Sequence, residues 1–152
     1  MSDINYEKTA MIGTRTVSLA GAQRIIGAAL ARTEELDCLV SVVVLDAGGA
    51  VASLAKMDGV TAAVTTVALH KANTALALRQ ATDEFVAAIQ TNQVLVTSLA
   101  TQPAFALMAG GVPLVADDGA VVGAVGVSGA RNGKDLDIAR AAAKALGQMS
   151  EI

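Results

Sequence analysis

An α+β fold, an antiparallel sheet made of hairpins with helices packed on it, is what this 152-residue chain predicts. Two observations carry the prediction. Runs of β-branched residues come in pairs around tight turns, Asp46-Ala47-Gly48-Gly49 in the first half and Asp117-Asp118-Gly119 in the second, and paired runs of this kind are hairpins. Around them lie long stretches rich in Ala and Leu, with helical spacing of the apolar positions. The length is that of one domain.

Residues 1–17 read as an N-terminal arm, polar and aperiodic through Gly13, either loose or docked on a neighbouring subunit. Residues 18–152 read as the single domain. Ser18 is placed to cap a helix whose apolar positions Ala22, Ile25, Ile26, Ala29 and Leu30 carry it from Leu19 to near Glu34. Leu39 to Leu45 and Ala50 to Met57 form the first hairpin, closed by Asp58-Gly59. Thr61 to Gln80 has neither Gly nor Pro and reads as the long helix. Thr82, followed by Asp83 and Glu84, looks like the N-cap of another helix ending near Asn92. The signal from Gln93 to Phe105 is mixed, a strand fragment or a loop. Val112 to Ala116 and Ala120 to Val127 make the second hairpin, in a region, Gly110 to Gly133, that holds half of the 14 glycines. Lys134 to Leu146 is a final amphipathic helix.

Hydrophobic residues make up 53%, charged residues 16% and aromatics 2%, and about one residue in five is alanine. That balance excludes a disordered chain and points to a core of small aliphatic side chains with closely approaching backbones. Part of the buried surface is expected to lie between subunits. No run of about 18 apolar residues spans a bilayer and residues 1–17 lack a secretory pattern, so a soluble, cytoplasmic protein without a membrane partner is expected. The single cysteine, Cys38, agrees with a reducing compartment. A net charge of −3 and the scarcity of aromatics argue against nucleic acid as a partner.

Lys71 is the most informative residue. Val64, Val67, Ala75 and Leu78 surround it at helical spacing, so it sits within an apolar stripe. It must carry its head out to water, pair with a carboxylate, or face a cavity as an anion contact, a general base or an amine nucleophile. Asp46 and Asp58, at strand ends, are either turn formers or its partner. His70 is the only histidine, which removes multi-histidine metal sites and leaves an ordinary hydrogen-bonded role, a proton-transfer role or a single axial bond to haem. Thr66, His70, Asn73 and Thr74 mark the polar side of the long helix. Gly126-Val127-Ser128-Gly129 is not a nucleophile elbow, because Ala130 stands where that motif needs glycine. The polar stretch Ser128, Gly129, Ala130, Arg131, Asn132, Gly133 precedes the last helix. It is either a connecting loop or, through backbone N–H groups and Arg131, a holder for a carboxylate or propionate.

Lys71-Ala72-Asn73-Thr74-Ala75, Gly110-Gly111-Val112-Pro113-Leu114 and the run from Gly119 through Gly123-Ala124-Val125-Gly126-Val127-Ser128-Gly129 resemble the GlcG/HbpS family. The resemblance runs from about Leu19 to Leu146. It implies a profilin-like five-stranded antiparallel sheet flanked by helices, assembly into homo-oligomers (dimers, tetramers or octamers), haem binding in some members and a place in catabolic operons.

Two functions follow as expectations. One is a cytoplasmic protein binding haem or a small carboxylated metabolite near Lys71, Asp58 and the Ser128–Arg131 loop, with Gly110, Gly111, Ser128, Gly129 and Arg131 as contacts and His70 as a candidate axial ligand. The other is a cofactor-free tautomerase, isomerase or lyase on a small organic acid, in which Lys71 moves a proton or polarises a carbonyl while Asp46 or Asp58 tunes it.

Overall fold

The computed structural model describes residues 10–148. Helix α1 (Leu19–Glu35) begins at Ser18, whose hydroxyl accepts from Gly21 N at 3.0 Å, the predicted cap. Strands β1 (Ser41–Asp46) and β2 (Val51–Lys56) form the first hairpin. The long helix α2 (Ala62–Leu78) is followed by α3 (Thr82–Ile89) and α4 (Gln93–Ala100). Strands β3 (Gly111–Val115) and β4 (Val121–Ser128) form the second hairpin, and α5 (Lys134–Lys144) runs into a 3-10 turn, Ala145–Gln148.

The sheet is antiparallel with strand order β2-β1-β4-β3, so the two hairpins meet along β1 and β4. Among the described residues it has four strands, which corrects the expected five. The ambiguous stretch after Asn92 did not supply another: the Asn92 side chain accepts from Leu95 N at 3.1 Å and starts a helix instead.

Two unequal layers cover the sheet. Helices α1 and α5 lie on one face, where Ile25, Ala29, Val42, Val44, Val125, Val127 and Ile138 form the main core. Helix α2 lies on the other, with Ala68 and Ala72 on Val43 and Leu45. The contact of α2 with β4 is backbone against backbone. A Cβ at Gly126 would meet Ala68 O and Ala72 N, and one at Gly111 would meet Lys71 O. Those glycines are therefore required by close approach. An aromatic-poor core follows, because helix and strand leave little space for large side chains between them.

Two polar placements differ from expectation. Thr82 is the first residue of α3 and not its cap; it is buried, and its hydroxyl accepts from Gly111 N at 3.0 Å, tying α3 to the start of β3. Thr74 is buried too, because its hydroxyl is satisfied locally, donating to His70 O at 2.7 Å and accepting from Ala106 N at 2.9 Å. In the arm, residues 1–9 lie outside the described residues. Arg15, Thr16 and Val17 dock on this chain's own sheet: Val17 N donates to Val122 O, Thr16 accepts from Ala47 N, and Arg15 pairs with Asp118.

Candidate functional site

Antiparallel pairing gathers the ends of several strands on one rim of the sheet. Ser41 lies between Lys56 on β2 and Ser128 on β4, and Gly111 of β3 pairs with Gly126. The turn through Asp58, the approach to Gly110 and the loop from Gly129 to Gly133 therefore share that rim. Asp46 pairs with Gly123 and sits on the opposite rim.

Lys71 crosses this rim from one helical layer to the other. Its side chain leaves the buried face of α2 and is 3% exposed. The ammonium donates to Val127 O and to Asp135 Oδ2, both at 2.9 Å. Asp135, in the first turn of α5, accepts with its other oxygen from Ala130 N at 2.8 Å. The lysine stem needs room to make this passage, and Gly110 provides it: a Cβ there would lie 3.0 Å from Lys71 Nζ and 2.6 Å from Val127 O. Gly110 has φ +121°, a conformation that glycine adopts without strain. One ion pair thus binds α2, the end of β4, the following loop and α5. The ammonium has two acceptors and each carboxylate oxygen has a donor, the kind of support under which a buried pair is tolerated.

Lys71 is therefore buried and paired, and its partner is Asp135, neither of the two aspartates considered from sequence. Asp46 forms the turn, its Oδ1 accepting from Gly48 N and Ala50 N, both at 2.9 Å. Asp58 lies on the same rim as the lysine head but lines a separate open groove of about 500 Å³ with Leu39, Lys56 and Met57. A second open groove, about 920 Å³, runs between α1 and α5 past Arg32, Asp137 and Arg140. Lys71 lines neither. Sequence reasoning missed Asp135; the available signal was an acidic side chain in the first helical turn directly after the glycine-rich loop.

The remaining candidates divide by exposure. Ser128 is buried, whereas Gly129 and Arg131 are exposed. The loop is tightly shaped, with Gly129, Asn132 and Gly133 all at positive φ. Among the described residues Arg131 has no ion-pair partner. His70 is half-buried, and among the described residues nothing hydrogen-bonds its imidazole. It precedes Thr74 by one turn on the same flank of α2, the flank on which Thr74 binds Ala106 N. Ala106, bound by Thr74, belongs to the segment that also holds Phe105, Leu107 and Met108. A half-buried imidazole with no hydrogen-bond partner among the described residues is a nitrogen donor of the kind that ligates haem iron. Cys38 is less apt as a ligand: burial pushes its thiol up, against the opposing charge of Lys134. Among the described residues no cluster of three or more His, Cys, Asp or Glu side chains could hold a metal ion.

Residues 17–144 match the family model described as haem degrading protein HbpS-like. The chain belongs to the HbpS-like family. Protein GlcG of Escherichia coli is 33% identical over 107 residues, covering 70% of this chain and 77% of that protein. Among solved structures, a double mutant of Streptomyces reticuli HbpS superposes with a TM-score of 0.80 at 30% identity, covering 90% of this chain and 91% of that one. The PduOC–haem complex superposes at 0.75 and 28% identity, covering 86% and 94%. The GlcG/HbpS resemblance read from the motifs is thereby established, and these relatives support a ligand-binding role. Among the described residues no helix is long and apolar enough to cross a membrane.

Proposed function

We propose that this HbpS-like protein binds haem on the outer flank of α2, with His70 as the axial ligand and Arg131 as the cation for a propionate. The observation that carries this reading is the half-buried imidazole left without a hydrogen-bond partner among the described residues. The haem complex of PduOC supports the choice of ligand. Bound haem would supply an iron centre; the chain would supply the imidazole, an apolar wall and a charge for the carboxylate. A small carboxylated metabolite is the narrower alternative, taken by Arg131 and the N–H groups of the Gly129–Gly133 loop. We place the protein in the cytoplasm, as an assembly of identical copies.

A cofactor-free isomerase or lyase has less support. It needs Lys71 to meet a substrate, whereas that ammonium is buried on Asp135 and Val127 O, with Asp46 on the far rim. Titration with hemin, followed by absorbance, tests the proposal. The wild type is expected to shift the Soret band saturably. His70→Ala is expected to weaken binding at least about tenfold, the equivalent of about 1.4 kcal/mol. An unshifted band in the wild type, or an identical titration in the variant, would overturn it.

A further inference from the structure

The rim at which α2 begins carries a row of polar side chains. Lys56, Ser41 and Ser128 stand opposite one another on β2, β1 and β4, so their side chains share one face of the sheet. That face is the one under α2, because the Ser41 hydroxyl lies 2.7 Å from the hydroxyl of Thr65. Gly126, two residues before Ser128, lies under Ala68 and Ala72. Two residues advance a strand by about 6.6 Å and one helical turn spans about 5.4 Å, so Ser128 comes under the turn with which α2 starts. Ser128 is 7% exposed, and among the described residues nothing hydrogen-bonds its hydroxyl. The helix end above it is equally unsatisfied. Thr61 at the N-cap makes no side-chain cap bond, and the first turn holds no acidic residue. The N–H groups of Ala62, Ala63 and Val64 therefore lack partners within the helix, and the positive end of its dipole is uncompensated. Lys56 adds a full charge. Its ammonium donates to Val60 O at 2.9 Å and Met57 O at 3.4 Å, and among the described residues it forms no ion pair, although Glu34 and Asp58 line an open groove with it.

We propose that the start of α2 and Ser128 form a binding site for a phosphate group, as the free ion or as the end of a small phosphomonoester. The donors are the free N–H groups of the first turn, the Ser128 hydroxyl and the Lys56 ammonium. The hydroxyl distinguishes this place from an ordinary helix start: a polar atom enclosed between strand and helix needs a partner, and this chain's described residues supply none. Phosphate suits the donors because it is strongly anionic near neutral pH and its several oxygens accept from helix, sheet and lysine together. A carboxylate, with one charge and two oxygens, fills fewer of them. The site uses neither His70 nor Arg131 and is independent of haem.

Amide-resolved NMR titration of the full chain with sodium phosphate, at constant ionic strength, tests this. The amides of Ala62, Ala63, Val64 and Ser128 should shift saturably, and glycerol phosphate should move the same set. Ser128→Ala should weaken half-saturation about tenfold, as the loss of one hydrogen bond to a charged group requires, and Lys56→Gln should weaken it too. Thr61→Asp guards against variants that fail to fold, since aspartate is a favourable cap. It gives the first turn its own acceptor and puts a negative charge at the site, so the saturable shifts should vanish while the other amide signals stay in place. Shifts that chloride reproduces at equal ionic strength, or saturation of Thr61→Asp like that of the wild type, would overturn the site. Acetate saturating as readily as phosphate would overturn the choice of ligand. None of these readouts involves haem, so an unshifted Soret band would overturn the haem reading and leave this one standing.

Discussion

Lys71 and Asp135 are unequally buried, at 3% and 15% exposure, so cutting their pair from one side differs from cutting it from the other. Asp135→Ala strands a buried ammonium on a single carbonyl and also releases Ala130 N. We expect a loss of about 3–5 kcal/mol, the range for breaking a buried pair. Lys71→Met leaves a carboxylate that still holds Ala130 N and reaches solvent, so its cost should be smaller, about 2–3 kcal/mol. Urea unfolding of both variants checks the order, and equal losses would deny that burial sets it. The helical spacing around Lys71 placed it in an apolar stripe and left three outcomes open, of which the structure shows the paired one. Its partner was not legible, because Asp135 is 64 residues away and the two meet only after α2 and α5 have packed on opposite faces of the sheet. Thr74 misled in the other direction: its hydroxyl reads as polar in the sequence, yet the local bond to His70 O lets it be buried.

Among the elements, the contact of α2 with β4 is the one that side-chain substitution should test most sharply. Gly126→Ala would drive a Cβ into the backbone of Ala68 and Ala72, which cannot yield as a side chain does, at a cost of about 2–3 kcal/mol or more. Gly27→Ala, in the exposed middle of α1 with nothing within 4 Å of the added carbon, should stabilise by about 0.5–1 kcal/mol. Melting temperatures of the two variants should move in opposite directions, and parallel shifts would contradict the packing. Hairpins and long helices were legible because turn residues and helical spacing are local signals. The strand count and α4 were not. The run after Asn92 mixes β-branched and helix-forming residues, and the cap on Leu95 N decides between them.

At the scale of the whole molecule, exposed ion pairs join separate parts of the surface and make stability depend on acid. The Arg32 guanidinium on α1 hydrogen-bonds Asp137 on α5 and holds that carboxyl below the usual range. The Ala120 N–H, and then Arg15 of the arm, do the same for Asp118. A carboxyl depressed on folding stabilises the protein above its ordinary value of about 3.9 and loses that contribution as the pH falls through the depressed one. Asp137→Asn should therefore be less stable than the wild type at neutral pH, with the difference closing in pH-dependent urea unfolding as the pH falls through the depressed carboxyl range. A difference that persists in acid would assign it to lost packing instead. The backbone contact at Gly126 also has a bearing on ligand capture. If haem binds at His70 as proposed, the helix that carries that residue is already seated directly on the sheet, so its backbone need not move to receive the ligand. Such uptake would carry little backbone reorganisation cost, and its speed would be set by how the ligand reaches the flank of α2.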